Sequence, residues 1–260
     1  MAQDEVVWFD GLRKDDAAKA WQLMAVNLQY ADVVITTSHY YKEKMKLLMP
    51  LPESLSVHVV YPGVDTAHYA SESHPSKPTI GFFYRMNKLD GLDVLAEAFI
   101  ILKKRNTVPG LRLRVGGGYT SADKKFVKKV KRLLAPYQAD VRMDQTYDWD
   151  HHSRFFKEIS VICVPLQFTE SVGLYLLEAF AAGVPAVEPD LGSFKEIVDK
   201  AGLIYSKNDA ISLANTLEQM FITPGLWEQC SQNALDLANR CYNHEVVAAH
   251  LEEIFKSLIK

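Results

Sequence analysis

The stretch Phe168-Thr-Glu-Ser-Val-Gly-Leu-Tyr-Leu-Leu-Glu178 follows the apolar run Val161–Pro165 and precedes a second apolar run, Pro185–Pro189. Strand, glycine-opened helix and strand in that order make one βαβ unit, and such units build parallel sheets. Gly173 at the helix start lets a ligand approach the backbone closely. The first amides of that helix have no partner inside it and suit a phosphate. Glu170 falls in the loop just before the helix, and Glu178 one to two turns inside it. Eight positions apart, the two carboxylates can flank a ligand whose phosphates lie between them. An ionised carboxylate only accepts hydrogen bonds, which suits it to gripping sugar hydroxyls. On spacing alone, a capped amphipathic helix carrying two exposed glutamates fits as well.

The same alternation extends in both directions. Strands are expected at Val33–Thr36, Val57–Tyr61, Thr79–Phe83, Leu111–Val115, Ala139–Met143 and Gly202–Tyr205, besides the two already given, with helical patterns between them. Val-Val-Ile and Val-Ile-Cys-Val are apolar throughout, as strands buried on both faces are. The expected fold is α/β: a Rossmann-like parallel sheet covered by helices on both faces. Residues 62–78, rich in proline and small polar residues, read as a linker. Before it lie only about two strands and two helices; after it lie enough elements for a complete sheet. The expected division is a remnant of a first Rossmann-like domain with its linker over 1–65, a ligand-binding domain over 66–243, and a terminal crossover helix over 244–260.

Bulk properties narrow the function. Lys and Arg number 29 against 32 Asp and Glu, a net charge of −3, which argues against nucleic acid as a partner. The basic stretch Lys124 to Arg132 reads as a solvated helix face. Three widely spaced cysteines, Cys163, Cys230 and Cys241, form neither a disulfide framework nor a zinc pattern, and Cys163 sits in a strand-like apolar run as a core residue does. The acidic start MAQDEVVWFD lacks a secretory apolar stretch, and no apolar run approaches the roughly 20 residues that span a bilayer. The expectation is a cytoplasmic chain, with peripheral membrane association left open. His151-His152 make a poor metal pair, because adjacent helical residues point to different faces.

The segment Glu170-Ser-Val-Gly-Leu-Tyr-Leu-Leu-Glu178, with Ala-Phe-Ala-Ala-Gly-Val-Pro-Ala-Val behind it, resembles the E-x7-E signature of retaining GT-B glycosyltransferases, especially family GT4. Glu188-Pro-Asp-Leu-Gly-Ser-Phe-Lys-Glu196 is similar to the loop and helix that follow it there. Ala31–Ser38 and Val57–Asp65 resemble the end of the family's first domain and its linker. Ile80–Arg85 and Gly91–Phe99 resemble the opening of its second domain. These matches are collinear from about residue 30 to 205. The resemblance implies that Glu170 holds the transferred sugar and Glu178 the nucleotide ribose, while Ser171, Val172, Gly173 and Leu174 meet the diphosphate and sugar. Arg85 then offsets diphosphate charge, its fork suiting a phosphate. Gly116 and Gly117, with Gly118, leave room for a base or ribose, and Arg142 and Met143 fall where the family contacts the base. The implied ligand is a nucleotide-sugar donor with an unknown acceptor (glycan, lipid or small molecule), and with neither metal nor further cofactor.

Two departures matter. The family usually places a lysine before the glycine matching Gly91; here stands Asp90. An aspartate beside a diphosphate is repulsive by on the order of 1 kcal/mol or more. Lys88, two residues earlier, is the candidate substitute. The position of Val172, commonly phenylalanine, is a milder change. Most of the family's acceptor-side domain has no counterpart in the chain, so no efficient transfer by the chain alone is expected, and self-association, or a partner supplying the rest, is expected. The alternative to a transferase is a non-catalytic nucleotide-sugar-binding or scaffolding module. An epimerase of related fold is a third reading, against which the E-x7-E spacing argues.

Overall fold

A computed structural model describes residues 9, 11–49, 51–52, 54–70, 75–145, 149–206 and 208–259. Most of the acidic N-terminus, residues 71–74 of the expected linker and the His151 side chain lie outside the described residues. The chain forms two sheets. The first is a parallel pair, β1 (Val33–Thr36) with β2 (Ser56–Val59), carried by α1 (Lys14–Leu28) and α2 (His39–Leu48). The second has six parallel strands: β3 (Thr79–Phe83), β4 (Arg112–Gly116), β5 (Val141–Met143), β6 (Val161–Ile162), β7 (Ala186–Pro189) and β8 (Gly202–Tyr205). Their order is β5-β4-β3-β6-β7-β8. From β3 the chain builds outward through β4 and β5, then returns to the other side of β3 and builds outward again through β8. The reversal between β3 and β6 is a topological switch point, where the loops leaving two neighbouring strands diverge and open a crevice.

Every residue of β3 is buried, as expected of a central strand with both faces covered. Its neighbour β6 is shorter than the apolar run Val161–Pro165 implied. Cys163 N still donates to Gly81 O, but Val164 N donates to the Glu188 side chain at 3.1 Å, and Pro165 has no amide to give. Likewise 3₁₀ turns over Ala135–Asp140 leave β5 only three residues.

The helices after β3 are α4 (Leu92–Arg105), α5 (Lys124–Leu134), α6 (Trp149–Lys157), α7 (Leu174–Ala181), α8 (Phe194–Val198), α9 (Ala210–Ile222), α10 (Leu226–Leu237) and α11 (His244–Leu258). In α4, Leu92, Leu95, Ala96, Phe99 and Leu102 recur at helical spacing and are fully or almost fully buried. Three cations in its last turn complement the dipole, and Asn106 closes it in the left-handed conformation. The smaller unit has its own core of Tyr41, Met45 and Met49, on which Trp21, Met24 and Leu28 of α1 rest half-buried. No residue of α1 is fully buried, and Leu23 is 63% exposed.

The two units are tied together in three places. Glu196 of α8 accepts hydrogen bonds from the amides of His39 (2.8 Å) and Tyr40 (2.9 Å), capping α2, and from the Tyr61 hydroxyl (2.7 Å). Val64 exchanges backbone bonds with Tyr242 and His244, the latter opening α11. Within the expected linker, a short helix α3 (Thr66–Tyr69), capped by Asp65, packs on α6 and α7. Its Tyr69 is completely buried.

Candidate functional site

Two glycine-opened helices start side by side at the switch point. Gly91 precedes α4 with φ +76° and Gly173 precedes α7 with φ +72°, both left-handed conformations that glycine adopts without strain. Their loops are stitched together: Gln167 N donates to Leu89 O at 2.8 Å, and a Cβ on Gly91 would lie 1.9 Å from Pro165 O. A third loop, after β7, presses on the same spot. Ser193 N donates to Glu170 O at 3.0 Å, and a Cβ on Gly192 would lie 2.5 Å from that oxygen. The Glu170 backbone is thereby held against the loop that follows β7.

The Glu170 side chain is half-buried. Its Oε1 accepts from Ser171 N (2.9 Å) and its Oε2 from the Tyr84 hydroxyl (3.2 Å). Glu178 lies on the fifth residue of α7 and is 7% exposed, which removes the reading of two exposed glutamates. Tyr69 donates its hydroxyl to Glu178 at 2.8 Å. Burial pushes the Glu178 carboxyl up to about 7, against the opposing pull of that hydrogen bond. Of the intervening residues, Ser171 and Val172 are buried and Leu174 is half exposed at the helix start. Gly173 is buried, and an added Cβ would press on the side chains of Tyr175, Leu176 and Phe194 at 3.3–3.4 Å, with no backbone atom among these neighbours.

Arg85 leaves the end of β3 and is exposed, with Nε 3.5 Å from Asp123 Oδ2. Hydrogen bonds from the Thr120 hydroxyl and amide hold the Asp123 carboxyl below its ordinary range. Lys88 is exposed, and its carbonyl accepts from Gly91 N. Asp90 is 3% exposed; its amide donates to Asn87 Oδ1 at 2.9 Å, and its Oδ2 is buried without a hydrogen-bond partner. Burial pushes its carboxyl up to about 7; the Arg85 charge opposes this, and Asp123 and Glu170 add to it.

The glycines after β4 are explained by packing. A Cβ on Gly116 would strike the rings of Phe83 and Phe155 at 2.8 Å, and one on Gly117, at φ +109°, would lie 2.1 Å from Tyr84 O. These glycines let the chain cross the start of the Arg85 loop, and Met86 N donates to Gly118 O at 2.7 Å. Arg142 is exposed and paired with Asp144 (2.8 Å) and Glu158 (3.3 Å). Arg142 and Met143 line a cavity of about 600 Å³ beyond β4 and β5, with Met86, Tyr119 and Arg114 on its wall. Glu170 and Glu178 do not line it.

Sequence reasoning missed Tyr69, Tyr84, Asp123 and Glu188. The first two reach their carboxylates across 109 and 86 residues, and no local pattern signals such a pair. Glu188 is completely buried at the end of β7, where burial pushes its carboxyl well above the usual range, with the Val164 amide bond opposing. The Tyr175 hydroxyl lies near, yet neither it nor Glu188 Oε2 completes a hydrogen bond. Of the cysteines, Cys163 is fully buried in the core, as expected. His152 sets its ring edge-on to Phe83, at 4.7 Å between ring centroids. No group of three or more His, Cys, Asp or Glu among the described residues is arranged to hold a metal ion. No helix among them is long and apolar enough to cross a membrane.

A six-stranded parallel sheet covered by helices, with paired helix starts at its switch point and tied to a second parallel sheet, is an α/β arrangement of GT-B type. The comparisons agree. Residues 77–222 match the family Glycosyl transferases group 1, and the chain belongs to that family. It is 23% identical over 244 residues to the lipopolysaccharide core biosynthesis mannosyltransferase LpsB of Rhizobium meliloti, covering 88% of this chain and 66% of that one. It is 28% identical over 184 residues to the D-inositol 3-phosphate glycosyltransferase of Pseudarthrobacter chlorophenolicus, covering 65% and 42%. Among solved structures, Anabaena HepE in complex with UDP superposes with TM-score 0.80 at 17% identity, over 94% of this chain and 68% of that one. Sucrose-phosphate synthase from Thermosynechococcus elongatus gives 0.76 at 19%, over 95% and 62%. The chain thus spans about two fifths to two thirds of the length of these two curated relatives.

Proposed function

We propose that this chain is the donor-binding half of a retaining hexosyltransferase that takes its sugar from a nucleotide-diphosphate sugar. The observation carrying this reading is the α7 helix start at the switch point, opened by left-handed Gly173 and flanked by Glu170 and Glu178. The diphosphate would lie on the first amides of α7, where the helix dipole favours negative charge. Arg85, with Lys88 within reach of the same loop, would neutralise the charge that grows on the leaving diphosphate as the glycosidic bond breaks. Glu170, held by Tyr84 and Ser171, would accept from hydroxyls of the transferred sugar. Glu178 would accept from the ribose hydroxyls, with Tyr69 occupying its other face. The base would extend toward Arg142, Met143 and the cavity beyond β5. No step in this scheme draws on a metal or a further cofactor, and the acceptor (glycan, lipid or small molecule) would approach from the side of the β1–β2 unit. HepE, solved in complex with UDP and glucose, supports a uridine nucleotide as the first donor to try.

Titration calorimetry with a panel of uridine, guanosine and adenosine diphosphate sugars tests this. One donor should bind, and Glu178→Ala should weaken it about 10- to 100-fold, the worth of a hydrogen bond to a charged group. If no member of the panel binds the folded chain, the reading fails. Buried Asp90 in place of a lysine favours a second reading, a module that binds the donor without transferring it. Donor hydrolysis separates the two: a transferase half cleaves bound donor slowly, and a binding module leaves it intact.

A further inference from the structure

Asp90 lies in the loop two residues before α4, and its surroundings do not suit an anion. It is 3% exposed, its Oδ2 is buried with no hydrogen-bond partner, and the neighbouring cation Arg85 is paired with Asp123 instead. Three charged groups act on it: Arg85 from its own loop, Asp123 from the turn before α5, and Glu170 from the loop before α7. Two of these are carboxylates. A buried carboxyl with an orphan oxygen, an engaged cation and two like charges nearby retains its proton. Burial, the largest influence, moves it up to about 7.

We propose that Asp90 donates a hydrogen bond, in its protonated form, to the diphosphate of the nucleotide sugar, so that the donor binds together with one proton. The inference rests on the nucleotide-sugar reading above and deepens it. Phosphate oxygens only accept. A protonated carboxyl supplies a donor and no negative charge, whereas the ionised form offers no donor and repels the ligand. A lysine at this position would act as a fixed charge; Asp90 acts only while protonated. Bound phosphate raises its proton affinity further, by linkage, so donor affinity falls as pH rises above about 7. Glu178 works in the opposite sense, since ionisation improves its grip on the ribose, and it weakens binding below about 7. The two limbs are therefore separable.

The test is calorimetric titration of the full chain with UDP-glucose and with GDP-mannose from pH 6 to 8.5, a range in which neither diphosphate diester titrates. For whichever binds, wild-type affinity should fall about tenfold between pH 7 and 8.5. Binding at pH 8 should take up protons, seen as a dependence of the heat on buffer ionisation enthalpy. Asp90→Asn, which keeps a neutral donor, should hold affinity within about threefold at pH 6 and abolish both the alkaline fall and the proton uptake. Asp90→Ala, folded by circular dichroism, should bind more weakly at pH 6. Binding with a flat alkaline limb in the wild type, or the same fall in Asp90→Asn, overturns the role of Asp90 alone. Failure of either nucleotide sugar to bind at any pH overturns the role of Asp90 together with the donor reading for those two sugars.

Discussion

The starts of α4 and α7 are built alike and used differently. Each follows a strand at the switch point, opens on a left-handed glycine and has a carboxylate in the preceding loop. At α4 the glycine is imposed by packing, since any Cβ would enter the Pro165 carbonyl, and the carboxylate is buried while its neighbouring cation, Arg85, is paired with Asp123. At α7 the glycine is crowded only by side chains, those of Tyr175, Leu176 and Phe194, and the carboxylate is half-buried in a hydrogen-bonded seat. One helix start is wedged against backbone; the other is packed against side chains, which can shift.

The largest effect that separates them is on stability. Gly91→Ala should cost about 4 kcal/mol or more, because backbone must move at the centre of the sheet, and it should appear as insoluble protein or a melting temperature lowered by more than about 10 °C. Gly173→Ala should cost less, about 1 to 3 kcal/mol of left-handed strain and side-chain crowding, while weakening donor binding about tenfold or more. Equal losses of stability would dissolve the distinction. Next comes the seat of Glu170. Gly192→Ala drives a methyl against the Glu170 backbone and should weaken donor binding at least as much as Gly173→Ala, although position 192 contacts no ligand in this account. Donor affinity measured on folded protein checks it.

A smaller effect follows from protonation. The folded chain raises Asp90 and Glu178 to about 7 from ordinary values near 4. The fold then binds more protons than the unfolded chain between about pH 4 and 7. The stability these groups contribute is present below pH 4 and lost as pH rises through 7. Asp90→Asn should therefore raise the melting temperature at pH 8 by a few degrees and leave it unchanged at pH 4. A destabilised Asp90→Asn at pH 8 would show that Asp90 is paired after all. The smallest effect belongs to Arg85, whose side chain is 56% exposed and whose pair with Asp123 is long. Arg85→Lys should shift stability by less than about 0.5 kcal/mol while lowering donor affinity, because the loss is of fork geometry toward phosphate.

Much of this was legible from sequence because it is local. Apolar runs such as Thr79–Phe83 and Gly202–Tyr205 gave strands at the expected bounds, and the strand–glycine–helix pattern before Glu178 placed the candidate grip. What escaped depends on partners far along the chain. Nothing around Glu178 announces that Tyr69 closes over it, so its burial was not foreseeable. Gly116 and Gly117 read as room for a base, yet their space is filled by Phe83, Phe155 and the Tyr84 backbone. The strand at Val161 lost its end because a side chain, Glu188, took the amide that a ladder would have used. Asp90 stood out in the sequence as a departure, but only its burial and orphan oxygen turn that departure into chemistry.

A crystal structure of the chain soaked with the nucleotide sugar it binds best tests the central claim most directly. The account predicts diphosphate oxygens about 3 Å from the first amides of α7, the ribose on Glu178 and the sugar on Glu170. A nucleotide held elsewhere, for instance in the cavity beside Arg114 and Tyr119 with the α7 amides unoccupied, would contradict it.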